Sequence, residues 1–556
     1  MSTQPVRSGS RLFVVRLSLT VAAGLLLGFS FPPSTFGALA LVGLVPLLIV
    51  LADIDRVWAG LRWVYLAMAV FHVLTLNWTG GYEHGRDPYM MIAGGMTMLI
   101  HPLFYFLPMG AYLFIKRHAG PWTALLSLPF LWTGYEFSHT LTEWSFPWLT
   151  LAHSQSYNLA GMQFISITGI FGLTFWILLV NVSVFLLYSS VAGGRLTPGS
   201  RRGILALAGI LLLVAIPSMH GWFVLTSPEA SPAAPLRRPV TVGMIQPNFD
   251  PWQKWGVDGP GTVRTYLRMT DSLLRSGCRA DLVLWPETAI PFFVLSTEDI
   301  PARDLQESVD SMGVAVLTGL PHRTVYRDSS AAPRSAKRDR RTGQRYDTFN
   351  AAALIEPFGG PARWHGKMKM VPLAERIPYS EFFSGFDFLR WDVGMGGWAI
   401  GKDTVVFHEG RSGSRFSTQI CYESTYPDFV AEYVRRGAEF LTIITIDSWW
   451  GHMSGAFQHH RIAVFRAVEN RRWIARCAVG GISCYIDPYG RTYDDTELFS
   501  RAVLCRTIGR DSELTTYTRV GNVLGEACLW ISCLLVAAAA GERALRKRRT
   551  RLWSMP

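Results

Sequence analysis

The stretch DLVLWPETAIP, residues 281–291, reads as a buried strand that is stopped by a proline and presents an acidic side chain, Glu287, just past its end. An unbroken apolar run bounded by a breaker is the pattern of a strand covered on both faces. In α/β folds the chemistry collects beyond the carboxyl ends of such strands. Working outward, the same kind of run recurs as VTVGMIQ (240–246), VAVLTGL (314–320), FNAAALI (349–355) and FLTIITI (440–446), and RFSTQI (415–420) reads as a further strand. Helical stretches lie at 427–436 and 456–472. Repeated β–α alternation with buried strands predicts an α/β sandwich with helices outside paired sheets. Residues 323–345 break the pattern. Polar, basic and rich in Ser and Pro, they read as a mobile loop, with anionic lipid headgroups as the functional alternative.

Upstream of this segment the composition changes. Only 17% of the 556 residues are charged, and the deficit is concentrated in the first 226 residues and around 520–541; soluble proteins carry about 25%. A hydrocarbon core of about 30 Å needs roughly 20 apolar residues in a helix. Spans are predicted at 12–31, 36–52, 63–79, 89–115, 120–138, 162–190, 204–225 and 522–541. The first is read as a retained helix rather than a cleaved leader, because no small-residue cleavage site ends it. The expected domains are therefore a membrane domain over 1–225 with seven helices, a catalytic domain over 239–515, an eighth helix over 522–541 and a basic tail over 542–556.

The net charge of +12 invites a nucleic-acid reading, but its placement explains it otherwise. Five short polar segments assigned to one face carry sixteen Lys and Arg against Asp53, Asp55 and Glu542, which accounts for the whole excess. That is the positive-inside bias. It puts both termini in the cytoplasm and the large polar segment on the far side of the membrane, with no nucleic-acid partner. Seven cysteines with no CxxC spacing give little support to zinc. Five of them fall in the polar segment, so at least one thiol there is unpaired in an oxidising compartment, and Cys421 is the candidate.

Chemistry-bearing residues stand in three words: Glu287 in WPETAIP, Lys367 in HGKMKMVPLAERIP (365–378), and Cys421 in ICYES (420–424). A thiol between a strand and a helix start feels the positive end of the helix dipole, which favours the thiolate. A nucleophile also needs a base and a positive group for the oxyanion. Glu287 and Lys367 are of the right types. Within the membrane part, Glu136, His72 and His101 are the polar residues of note, and Glu136 and His139 are expected near an interface.

In this order and spacing the three words resemble the nitrilase superfamily. The likeness extends to QPNFDPWQKW (246–255) and DSWWGHMSGAFQHHRIAVFRAVEN (447–470). FPWLTLAHSQ (146–155), GMQFISITGIFGLTF (161–175) and Asn181 narrow it to one branch, the apolipoprotein N-acyltransferase family. The resemblance implies a four-layer αββα nitrilase domain on an eight-helix membrane domain. It also implies a two-step reaction without a cofactor or metal. Cys421 takes an acyl chain from a phospholipid as a thioester; the α-amine of a diacylglyceryl-cysteine on an apolipoprotein then takes it as an amide. Carried over with the motifs are Glu287 as base and Lys367 as oxyanion holder. Glu375, Glu423, Tyr422 and Asn350 come as supporting groups, and Trp255 and Trp449 as lipid-side aromatics. His459 is matched too, but reads as satisfying core hydrogen bonds. A monomer is expected.

Four positions depart from the family's words: Ser145 stands where Gly is usual, Ile446 for Asn, Leu373-Ala374 for Phe-Gly, and Phe137 for the Trp after Glu136. The alternative function is a membrane-tethered amidase hydrolysing a small carbon–nitrogen substrate, since water and an amine attack the same thioester. A non-catalytic scaffold is a third reading, which the intact Glu, Lys and Cys set opposes.

Overall fold

The computed structural model of the chain describes residues 9–83, 85–252, 259–292, 300–328, 330–333, 336–360, 362–372, 374–376, 378–379 and 397–553. The chain divides into two compact units: Met1–Leu141 with Pro147–Leu225 and Asn522–Pro556, and Thr142–Phe146 with Thr226–Gly521.

The first unit is helical. Among the described residues, six helical segments are long and apolar enough to cross a membrane: Ser10–Gly28, Val57–Leu76, Pro88–Ala119, Ile170–Ala192, Arg201–Leu225 and Val523–Arg548. The two other expected spans differ. Pro121–His139 is helical throughout but is not among the six. The span at 36–52 is a 3-10 turn, Gly37–Leu41, followed by a short α-helix, Val45–Ala52. Asn181 explains the break: its amide donates to Ala40 O (2.8 Å) and its carbonyl accepts from Leu44 N (2.9 Å), satisfying backbone groups that a continuous helix would pair itself. Lys116 closes the same helix by donating to the carbonyls of Leu51, Ala52 and Ile54.

The span read at 89–115 also breaks, through the 3-10 turn His101–Tyr105 containing Pro102, which has no N–H to continue the ladder. Small residues let helices touch. A Cβ on Gly134 would stand 2.8 Å from Leu529 N, and one on Gly525 would stand 2.9 Å from Phe137 Cβ. The final helix runs on to Trp553, so the expected basic tail continues it rather than following it.

Glu136 is buried within the helical unit. It is 5% exposed and accepts from Trp132 Nε1 (2.9 Å), Leu151 N (2.8 Å) and Thr174 Oγ1 (2.7 Å), three donors that make burial of a carboxylate tolerable. His139 is likewise buried, in a chain with His101 (3.2 Å) and His72, whose Nε2 lies 2.8 Å from His101 Nδ1.

The second unit is the predicted sandwich. Its strands are β1 (Val240–Gln246), β2 (Leu282–Leu284), β3 (Ala315–Tyr326), β4 (Lys337–Arg338), β5 (Arg345–Ile355), β6 (Arg363–Gly366), β7 (Phe407–Glu409), β8 (Ser414–Ile420), β9 (Phe440–Thr445), β10 (Ile474–Ala478), β11 (Cys484–Ile486), β12 (Thr492–Tyr493) and β13 (Ala502–Ile508). One sheet runs β13-β1-β2-β3-β5-β4 with β6 beside β5; the other runs β12-β11-β10-β9-β8-β7. Val242, Leu284, Leu317, Ile420, Ile444 and Cys477 fill the space between them. On the outer face of the first sheet, Ile245, Val283 and Val316 pack with Tyr266, Leu273 and Val309 from helices Gly259–Arg275 and Ile300–Met312. Helix, sheet, sheet and helix give the αββα order.

The expected loop at 323–345 is shorter than its composition suggested. β3 runs to Tyr326 and pairs antiparallel with β5 from Tyr326↔Arg345 to Val316↔Ile355, so both ends of the polar stretch are strand. Cross-strand polar pairs support the ladder there in place of a buried apolar face. The Tyr326 hydroxyl donates to Asp347 (2.6 Å), and Arg323 stacks over the Tyr346 ring.

Candidate active site

Three strand ends deliver three side chains. Glu287 follows β2, Lys367 follows β6 and Cys421 follows β8. The Glu287 turn is tight: Thr288 has φ +46, and Gly319 lies so close that a Cβ there would meet Thr288 N at 2.3 Å. Only glycine fits that approach. Cys421 itself is held at φ +53, in the left-handed region that costs a non-glycine residue about 1 kcal/mol. Strain of this kind persists only where surrounding structure over-determines it.

Here that structure is a brace behind the cysteine. Ser424 Oγ donates to Cys421 O (2.8 Å) and lies 3.0 Å from His459 Nε2, which is itself 3.1 Å from Cys421 O. His459 Nδ1 donates to Asp447 Oδ1 (2.8 Å), and Arg476 donates to Asp447 Oδ2 (2.6 Å). Burial opposes the Asp447 charge, but Arg476 and His459 hold its carboxyl well below the usual range. His459 thus satisfies buried hydrogen bonds, as expected, and one of them reaches the backbone of Cys421. His459→Ala is expected to lower kcat roughly 10²-fold, the cost of about 1 Å of misplacement, while KM changes little. Steady-state kinetics on a folded variant checks it.

Lys367 is fully buried and donates to Glu375 Oε1 (2.7 Å), with Glu287 Oε1 at 3.6 Å. Burial opposes its charge, yet the Glu375 and Glu287 carboxylates raise its pKa above the ordinary lysine value. Its backbone is pinned as well: Lys367 N donates to Asn350 O (2.7 Å) and Gly401 N donates to Lys367 O (2.8 Å). Asn350 Nδ2 donates to Glu287 Oε1 (2.7 Å), so this residue orients both members of the pair. Glu375 also accepts from Val371 N (2.8 Å).

The sulfur of Cys421 has Glu287, Lys367 and Glu375 as electrostatic neighbours. Its charge state differs from the expected thiolate. Burial, followed by the Glu287 carboxylate, pushes the thiol well above its ordinary value, and the Lys367 ammonium does not offset them. The helix after the 3-10 turn Cys421–Thr425 starts only at Pro427, so its dipole acts from a distance. The resting sulfur carries its proton, and an adjacent base must remove it.

Glu423 is fully buried. Its oxygens accept from Met368 N (2.6 Å) and Ile420 N (2.8 Å), which ties the Lys367 loop to the Cys421 strand end. His365, donating from Nδ1 to Asp403 O (3.2 Å), backs it at 3.3 Å, with the Tyr433 hydroxyl 3.3 Å from the same ring. Sequence reasoning misses the parts played by His365, Ser424, Tyr433, Asp447 and Arg476. His365, Ser424 and Asp447 sit inside the quoted words, which is the signal that could have found them; Tyr433 and Arg476 carry none.

Tyr422 is buried and its hydroxyl donates to Ser145 O (3.1 Å). The Ser145 hydroxyl lies 2.5 Å from the Tyr426 hydroxyl, a contact that the usual glycine would lack. Trp449 packs edge-on against Trp252 with ring centroids 5.0 Å apart. Trp255 and Leu373 lie outside the described residues. Cys278 and Cys505 form a disulfide, which leaves Cys421, Cys477 and Cys484 as free thiols of this unit.

A family profile for the apolipoprotein N-acyltransferase N-terminal domain matches residues 23–183, and one for carbon-nitrogen hydrolase matches residues 241–515. Over 549 residues the chain is 34% identical to the apolipoprotein N-acyltransferase of Chlorobaculum tepidum, spanning 97% of this chain and 98% of that protein. The chain belongs to the apolipoprotein N-acyltransferase family. The Geobacter metallireducens apolipoprotein N-acyltransferase is 29% identical over 538 residues, covering 96% of this chain and 95% of its own. A solved nitrilase-superfamily structure from Saccharomyces cerevisiae covers 49% of this chain and 91% of its own at 14% identity, with a TM-score of 0.37. As a member of the apolipoprotein N-acyltransferase family the chain is an acyltransferase embedded in a membrane. The amidase alternative is not favoured, because the match includes the helical N-terminal domain as well as the nitrilase-like one.

Proposed function

We propose that the chain N-acylates apolipoproteins by moving one fatty acyl chain from a phospholipid to the amine of an N-terminal diacylglyceryl-cysteine. The convergence of Glu287 and Lys367 on the Cys421 sulfur carries this reading.

In the first step Glu287 takes the Cys421 proton as the sulfur attacks the phospholipid ester carbonyl. The oxyanion is met by the Lys367 ammonium. Collapse breaks the ester C–O bond, and Glu287 returns the proton to the departing glycerol oxygen, giving a lysophospholipid and a thioester. In the second step the acceptor amine attacks the thioester and loses a proton to Glu287. The C–S bond breaks, and the sulfur leaves as the thiol. The ester supplies the activation, so no cofactor is required. Glu375 holds Lys367 in place, and Asn350 orients Glu287. Glu423 spaces the two strand ends, and Tyr422 anchors the 142–146 segment. Trp449 and, by its motif, Trp255 are assigned to lipid binding.

The Cys278–Cys505 disulfide supports a periplasmic position for this unit, since such bonds persist in oxidising compartments. The cytoplasmic assignment of both termini rests on the basic segments. The enzyme acts as a monomer.

Intact mass after mixing the purified protein with phospholipid and no acceptor tests the mechanism. The expected result is one added acyl chain on the peptide carrying Cys421, absent in Glu287→Gln, whose amide cannot accept the thiol proton. An acylated Glu287→Gln, or an acyl chain elsewhere, overturns the assignment.

A further inference from the structure

We propose that His460, Cys484 and Asp495 form a zinc-type divalent metal site that locks the helix behind the nucleophile to the second sheet. Their ligand atoms all lie within 4.8 Å of one another. A tetrahedral zinc with sulfur at about 2.3 Å and nitrogen or oxygen at about 2.0 Å sets its ligand atoms roughly 3.5 Å apart. The contraction is about 1 Å. Asp495 is exposed, on the loop after β12, which gives the ion an entry path.

A second observation points the same way. His460 is 5% exposed, yet its Nε2 has no hydrogen-bond partner among the described residues. Such a nitrogen carries an uncompensated desolvation cost, which a bound cation removes. Cys484 is fully buried and reduced, although the same unit contains a disulfide elsewhere. Asp495 is oriented from behind, accepting from Thr492 Oγ1 (2.8 Å), the kind of outer-shell bond that aims a ligating carboxylate.

The donor set is one imidazole, one thiolate and one carboxylate, borderline-soft ligands suited to zinc, with one position left for water. On binding, the Cys484 S–H bond breaks, a sulfur–metal bond forms and the proton leaves to solvent. Two anionic ligands balance the dication. Of the two nearby arginines, Arg461 and Arg476, the second is already paired with Asp447 at 2.6 Å.

The chain spacing, 460, 484 and 495, matches no cysteine motif, which is why the sequence suggested no metal. Neighbouring histidines on helix Ser454–Asn470 divide the work, His459 bracing Cys421 and His460 reaching Cys484 on β11. The metal is structural, because it touches none of the reacting groups.

The test uses the full-length protein in detergent, stripped with chelator and titrated with zinc alone. One equivalent per chain is expected, with a higher unfolding temperature. Cobalt in place of zinc is expected to give a thiolate-to-metal charge-transfer band. Cys484→Ser should abolish that band, and His460→Gln and Asp495→Asn should each weaken zinc binding more than tenfold. Asp495→Asn alters an exposed position, so it reports even if the buried variants fail to fold. Less than half an equivalent bound, a cobalt band that survives Cys484→Ser, or zinc affinity unchanged in Asp495→Asn overturns the site.

Discussion

Cys421→Ala is expected to retain the fold and lose acyl transfer by ~10⁴-fold or more, the order of loss seen when a covalent nucleophile is removed. Among the described residues no other thiol of the unit can replace the sulfur: Cys477 and Cys484 are fully buried. Burial pushes the Cys477 thiol up to about 12. Cys421→Ser should be nearly as inactive, because Glu287 would then have to deprotonate a much weaker acid. The backbone offers a second readout at the same position. With φ at +53, Ala keeps the strain whereas Gly relieves it. Cys421→Gly should therefore be more stable than Cys421→Ala by about 1 kcal/mol, and equally inactive. Denaturant unfolding and acyl transfer measured on the two variants separate the terms. An active Cys421→Ala ends the thioester mechanism; equal stabilities of the Ala and Gly variants mean that the turn is not strained.

That Cys421 sits in a strained turn was not readable from ICYES, whereas its position past a strand was. The distinction is general in this chain. The strand end carrying Glu287 was legible because a buried strand writes a continuous apolar run, and a proline after Trp285 marks where it stops. Pairing between distant segments was not. The Cys278–Cys505 bridge joins residues 227 apart, and the contacts of Ser424 and Asp447 with His459 depend on how β8, β9 and helix Ser454–Asn470 come together. Polar composition misled at 323–345, because a half-exposed β-ladder needs no apolar side chains. Apolar composition misled in the opposite sense at 36–52, where Asn181 supplies from 137 residues away the bonds that let the helix break. Charge state was the least legible property. The helix start near Cys421 argued for a thiolate, but the electrostatics of the folded site are set by burial and by Glu287, which is 134 residues distant in the chain.

Lys367 shows the same dependence on neighbours, and its removal is expected to have the second largest effect. Its ammonium stands between Glu375 (2.7 Å) and Glu287 (3.6 Å), all three groups buried or nearly so. Lys367→Met keeps most of the side-chain volume and deletes the charge. The oxyanion then loses its cation, costing on the order of 10²–10³ in kcat. Two carboxylates are also left facing each other without compensation, a loss of about 3–5 kcal/mol of stability. The sign of the pH dependence follows. In the native protein burial already raises the Glu375 pKa, and Lys367 is the main influence lowering it. Without Lys367 the folded-state carboxyl pKa rises further above its unfolded value, so the folded variant binds more protons than the unfolded chain. Its stability is greatest below the unfolded pKa and is lost as pH rises through the folded one. Lys367→Met should therefore become progressively less stable than the native protein as the pH is raised through that interval. Adding Glu375→Gln should recover much of the stability and none of the activity, since it removes the surplus charge and restores no cation. A double-mutant cycle in denaturant at two pH values measures the coupling. If Lys367→Met loses activity at unchanged stability, the buried Lys367–Glu375 pair is not what holds this corner of the site together.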